Sequence, residues 1–119
     1  MIYQFFLHIL GDYLLQTDWM AKHKRKNTST GYLACAVHSL VYSLPFLLIA
    51  GIYPVLAIFI THFIIDKWEI IKWYMRLKNR TKNSRGYADG VPDHAAYVLL
   101  LIVDNSVHIF LNFLCLTLL

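Results

Sequence analysis

HILGDYLLQ, residues 8–16, decides how this chain is read. It follows MIYQFFL without a break in apolar character, yet it sets His8 and Asp12 four positions apart. About 20 mostly apolar residues are needed to cross some 30 Å of hydrocarbon, and residues 1–20 supply them. An aspartate at the centre of such a helix costs about 2.5–3.5 kcal/mol on insertion scales. A chain that carries this cost needs a use for it, and the same pairing of residue types recurs further on.

Composition agrees with a membrane setting. Of 119 residues 58% are hydrophobic and only 15% charged, a balance outside that of ordinary soluble domains. The length suits a single integral domain, 1–119. Two cysteines, Cys35 and Cys115, each in an apolar run, read as small buried hydrophobes rather than a disulfide framework. Cys35 also lies three positions before His38 and so borders the candidate site. The opening segment has no basic start and no small-residue cleavage site, so it is expected to stay as a span.

Four spans are predicted, at about 1–20, 31–50, 53–74 and 94–119, giving an all-α, four-helix transmembrane bundle. GIYP, residues 51–54, predicts a tight turn between the second and third. Asp93, after Pro92, is a candidate N-cap for the fourth. Pro45 is expected to kink the second span, and Gly11 to allow close helix approach beside Asp12.

The connections at 21–30 and 75–93 are basic. All 11 lysines and arginines fall in or beside them, and none lies near either terminus or the GIYP turn. Short basic loops stay in the cytoplasm, so both termini are expected outside, in a prokaryotic inner membrane. Trp19, Trp68, Trp73 and Tyr74 fall near the same ends, where amphipathic rings favour the interface. The net charge of +4 is accounted for by orientation and anionic lipid, and no nucleic-acid partner is expected, because stacking residues other than Tyr87 are missing from the loops.

Ionisable residues recur inside the spans: His8 and Asp12, then His38, then His62 and Asp66, then Asp104 and His108. Each of the three pairs has i,i+4 spacing, which stacks two side chains on one helix face about 5–6 Å apart. Two side chains so placed can reach one ion, as the histidines of HExxH do. In antiparallel spans the seven fall at similar depth and can form one layer. Unpartnered, three ionised aspartates would cost on the order of 8–10 kcal/mol, as much as a small domain's whole stability. Imidazole and carboxylate together suit a divalent metal, zinc first, with manganese, iron or magnesium as alternatives. Seven ligands exceed the needs of one tetrahedral ion, so either two ions share the site or some side chains orient the others. Gln16 and Asn105 extend the polar stripes and are read as supports, as is Glu69 on the third span. A lone histidine would be read as polar glue between helices, and a metal-free Asp/His proton relay is the main competing account.

The ordered set HxxxDYxLQT, an isolated His, HxxxDK and DNxxH resembles a family of small bacterial and phage membrane proteins known only as a domain of unknown function. The likeness covers essentially the whole chain and singles out His8, Asp12, Gln16, His38, His62, Asp66, Asp104 and His108. Where the family pattern has glutamine after the fourth-span aspartate, this chain has Asn105, which limits that position to hydrogen bonding. More loosely, the pattern is similar to membrane-bound metal-dependent hydrolases.

The leading expectation is therefore a membrane-embedded, metal-dependent hydrolase of a lipid ester or phosphoester. His8, Asp12, His38, His62, Asp66, Asp104 and His108 would hold one or two ions, with Asp12 or Asp66 as general base. No serine elbow, P-loop or GxGxxG offers other chemistry. A transporter or channel for metal or protons would use the same residues and, with few helices, would form a homo-oligomer. A third expectation is an accessory protein of phage lysis or defence type, with a purely structural polar core.

Overall fold

The computed structural model describes residues 2–119, and among them every regular element is helical. The order is α1 (Ile2–Ile9), a π turn (Leu10–Leu14), α2 (Asp18–His23), α3 (Ser29–Ser43), a 3₁₀ turn (Leu44–Leu48), α4 (Ile52–Lys67), α5 (Ile70–Lys78) and α6 (Asp93–Leu118). Helix α3 packs on α4, α4 on α6 and α6 on α1, while the π turn lies against α3. The four elements thus enclose one interior.

Two segments are long and apolar enough to cross a membrane, Ser29–Leu48 and Asp93–Leu118. The first and third predicted spans differ from expectation because each breaks. Residues 1–20 do not form one helix. Helix α1 and the π turn end at Leu14, and Thr17 then caps α2, its side-chain oxygen accepting from the Met20 N–H at 3.3 Å. In 53–74 the break falls at Glu69, a left-handed residue with φ +48° that separates α4 from α5. At 1.5 Å per residue, the 16 residues of α4 reach only about 24 Å.

Smaller expectations also shift. Ile52 and Tyr53 are already helical, so the turn before α4 is shorter than GIYP, and Pro54 sits in the first turn, where its missing N–H costs nothing. Pro92 occupies the N-cap position of α6 and Asp93 the first helical one; the Asp93 carboxylate accepts from Arg85 at 2.8 Å. Around Pro45 the chain tightens into the 3₁₀ turn. The 21–30 connection is largely consumed by helix, since α2 runs to His23 and α3 begins at Ser29, with Thr28 accepting from the Gly31 N–H at 3.1 Å.

Many polar side chains are buried and many large apolar ones are exposed. The buried set includes Gln4, His8, Lys24, His38, His62, Asp66, Lys67, His108 and Asn112. The exposed set includes Phe6, Leu48, Leu56, Ile60, Ile102 and Phe110. Helix α6 buries only Ala96, His108, Asn112 and Cys115 of its 26 residues. Apolar packing forms two groups: Leu7, Tyr42, Phe46, Val55, Ile58 and Cys115 on one side of the polar layer, and Ile65, Ile71 and Met75 on the other.

Candidate metal centre

The i,i+4 pairs do converge, but not as equals. His62, on α4, is the centre. Its Nε2 lies 3.0 Å from His38 Nε2, 3.4 Å from Asp12 Oδ1 and 3.5 Å from Asp66 Oδ2. His38 Nε2, on α3, is in turn 3.3 Å from Asp12 Oδ1 and 3.2 Å from Asp66 Oδ2. From α6, His108 Nε2 approaches Asp66 Oδ1 at 3.3 Å. Two groups of three result, Asp12–His38–His62 and His62–Asp66–His108, and each has its ligand atoms within 4.8 Å of one another.

This donor set fits a divalent ion. Ligands about 2.1 Å from a tetrahedral metal stand about 3.4 Å apart along each edge, and the first group's edges run 3.0–3.4 Å. A neutral imidazole carries one N–H, so three rings and two carboxylates meet with more lone pairs than protons. His108 Nε2 is buried and has no hydrogen-bond partner among the described residues.

Local structure aims these groups. In the π turn the Leu15 N–H reaches back five residues to Leu10 O at 2.9 Å. The turn holds Asp12, whose two carboxylate oxygens face different rings, Oδ1 toward His38 and His62 and Oδ2 toward His8 at 3.6 Å. Gly11 makes this possible, because a Cβ there would lie 2.6 Å from Tyr42 Cδ2 and 3.0 Å from Tyr42 Cα. The close approach expected at Gly11 is therefore a contact with Tyr42 of α3. The Tyr42 ring stacks on His62 at 3.7 Å between centroids, fixing that imidazole's plane.

His8 and Asp104 lie outside both groups of three. The His8 ring nitrogens are taken by Tyr42 Oη at 2.8 Å and Asn105 Oδ1 at 2.9 Å. Asp104 is 3.7 Å from His108 and keeps 29% of its side-chain surface exposed. Asn105 also pairs with the Tyr13 hydroxyl, and Gln16 has a buried Oε1 without a partner among the described residues. Cys35 contributes no ligand; its Sγ donates to Phe63 O at 3.7 Å.

Sequence reasoning missed three members of the network, Asn112, Tyr42 and Lys24, and the buried Gln4 near it. Asn112 donates to the Tyr42 hydroxyl at 2.6 Å, and Gln4 is buried one turn before His8. Continuing the four-residue spacing from Asp104 and His108, from His38 and back from His8 would have reached Asn112, Tyr42 and Gln4. Lys24 carries no such signal. Read as a loop lysine, it is 8% exposed, and its Nζ stands 2.6 Å from Asp66 Oδ2 and 3.3 Å from His38 Nε2. Lys67 delivers it: Lys67 Nζ donates to Lys24 O at 3.3 Å and Lys26 O at 2.5 Å and sits 4.0 Å over the Tyr32 ring. Gly31 completes the clamp, since any side chain there would overlap the Lys26 carbonyl.

A cavity of about 440 Å³ opens beside the cluster. Asp12, Lys24, Asp66 and Asp104 line it, together with the charged Arg25, Glu69 and Lys72 and the largely apolar Tyr97, Leu100 and Leu101.

No curated protein and no solved structure matches the chain. A family model does, over residues 1–118: the chain belongs to the family described as protein of unknown function DUF3307.

Proposed function

We propose that this chain is a multi-pass membrane protein that uses a divalent metal to hydrolyse a lipid ester or phosphoester. The observation that carries the reading is the meeting of His38, His62 and His108 Nε2 with the Asp12 and Asp66 oxygens at 3.0–3.5 Å, in the interior of a bundle whose outside is apolar.

The membrane reading rests on the many exposed large apolar side chains and on the basic connections. Helix α3 with its 3₁₀ turn and helix α6 have the length to cross, and α1 with its π turn and α4, which are shorter than these, cross beside them. Helices α2 and α5 lie along the cytoplasmic interface, with Trp19 and Trp73 exposed there and Lys22, Arg76 and Lys78 in their last turns. Both termini are then on the far side.

A bound divalent ion, zinc by its donor set, supplies Lewis acidity toward a substrate oxygen and lowers the pKa of a nearby water. Asp12 and Asp66 are enclosed among imidazole nitrogens, a position for ligands. The general-base role expected for one of them passes to Asp104, of the three cavity-lining aspartates the one that retains most exposure. His8, held by Tyr42 and Asn105, orients the Asp12 carboxylate. Arg25 and Lys72 stand where an anionic head group enters, and Tyr97, Leu100 and Leu101 offer its acyl chain a wall.

Purified protein reconstituted in liposomes tests this. Stoichiometric divalent metal by elemental analysis together with lipid turnover is the expected result. Metal with ion flux and no turnover rejects the hydrolase. One observation favours that second reading, transport of protons or metal. The hydrogen-bonded file Asn112–Tyr42–His8 leads from the cluster toward the opposite end, where Gln4 borders a second cavity of about 310 Å³.

A further inference from the structure

We infer that the centre holds a single ion and that the Lys24 ammonium takes the place of a second. The inference rests on the metal reading above and decides what the donor set alone leaves open, one ion or two.

Three observations converge. First, the two groups of three share His62, and they share the same atom: Nε2 faces both Asp12 Oδ1 and Asp66 Oδ2. An imidazole nitrogen has one lone pair for one ion, so both groups cannot be filled as they stand. Second, the group with Asp66 already has a cation. Lys24 Nζ is 2.6 Å from Asp66 Oδ2 and 3.3 Å from His38 Nε2. That ammonium is held from behind, because Lys67 grips the backbone of Lys24 and Lys26. A flexible surface lysine would have no reason to be anchored this way. The Asp12–His38–His62 group meets Lys24 only at His38 Nε2, and by the same count an ion there takes that lone pair and leaves the ammonium on Asp66, its nearer partner; this group is the position left for the ion.

Third, charge closes on one ion. Among the groups in contact with the three rings, Asp12, Asp66 and Asp104 bring three negative charges, and Lys24 with one divalent ion brings three positive; the buried Lys67 ammonium sits apart, on the Lys24 and Lys26 carbonyls. A second ion alongside Lys24 would leave two uncompensated positive charges in a low-dielectric site, an arrangement that costs several kcal/mol per ion. Lys24 also lines the cavity, so its charge lies beside the space that an anionic substrate would enter.

Metal stoichiometry tests this without reference to activity. The full-length protein, folded by circular dichroism in detergent, is equilibrated with excess zinc, freed of unbound ion and measured by elemental analysis. The wild-type chain is expected to hold one zinc. Lys24→Met keeps the apolar stem, removes the charge and frees Asp66, and should rise from one zinc to two, the second held by Asp66, His108 and Asp104. Lys24→Arg, which keeps the charge, should stay at one, and adding His108→Ala to Lys24→Met should return the count to one. Two ions on the wild type, one on Lys24→Met, or two on Lys24→Arg would each overturn the inference while leaving the metal centre standing. No ion on any of these chains would remove the metal centre itself, and the inference with it.

Discussion

His62 is the residue on which the centre turns, since both groups of three pass through its Nε2. His62→Ala should therefore reduce bound zinc from one per chain to none. His8→Ala should leave the count at one and lower the thermal midpoint, because its nitrogens serve Tyr42 and Asn105 rather than an ion. Elemental analysis beside a melting curve separates the two, and equal metal loss in both would place His8 among the ligands. Gly11→Ala tests the contact that positions Asp12. A methyl 2.6 Å from the Tyr42 ring and 3.0 Å from its Cα must push α1 and α3 apart. A loss of about 1–3 kcal/mol is expected, read from unfolding in detergent. At this scale the sequence was legible wherever chemistry repeats at a helical interval: His8, Asp12, His38, His62, Asp66, Asp104 and His108 all face the interior layer or its cavity. It was not legible at Lys24, where a clamp built by Lys67 from another helix, 43 positions away, sets the placement.

Among the elements, the two breaks matter most. Four apolar stretches were visible because hydropathy survives a kink, but the stops at Leu14 and Glu69 were not, because neither carries a proline or glycine to announce it. Glu69 holds a left-handed conformation, φ +48°, that costs an L-residue about 1–2 kcal/mol. Its carboxylate pairs with Arg25 at 3.6 Å and Lys72 at 3.0 Å, and all three side chains are substantially exposed, so those pairs contribute little. Glu69→Gly should consequently raise the thermal midpoint by the equivalent of about 0.5–1 kcal/mol, glycine's added freedom in the unfolded chain offsetting part of the relief. A fall in the midpoint would show that the ion pairs, not the backbone, fix the break. The long connection before α6, read only as basic and rich in breakers, is an ordered loop tied by Asn79, Asn83 and above all Arg85. Arg85 donates to Val91 O at 2.7 Å, Asp93 Oδ1 at 2.8 Å and Ala88 O at 2.9 Å. Composition shows that a loop is present; which of its cations ties it together depends on the turn geometry.

For the molecule as a whole, the proposed orientation makes the basic side and the two termini face opposite compartments. Both native cysteines are buried, so single cysteines introduced elsewhere report cleanly. Lys82→Cys should react with a membrane-impermeant maleimide only after the cells are opened, and Leu119→Cys in intact spheroplasts. Reversal of the two would invert the topology, and labelling of both from one side would remove an odd number of crossings. The distribution of residues has a further consequence. Many of its large apolar side chains form a coat around a centre held by buried polar contacts, so that centre does not depend on the surrounding solvent as a water-soluble protein's apolar core does. Stripping away detergent should deprive the coat of its solvent before it disturbs the centre. The precipitate that forms should still be helical by infrared spectroscopy and should redissolve in fresh micelles with its zinc in place: clumping without melting.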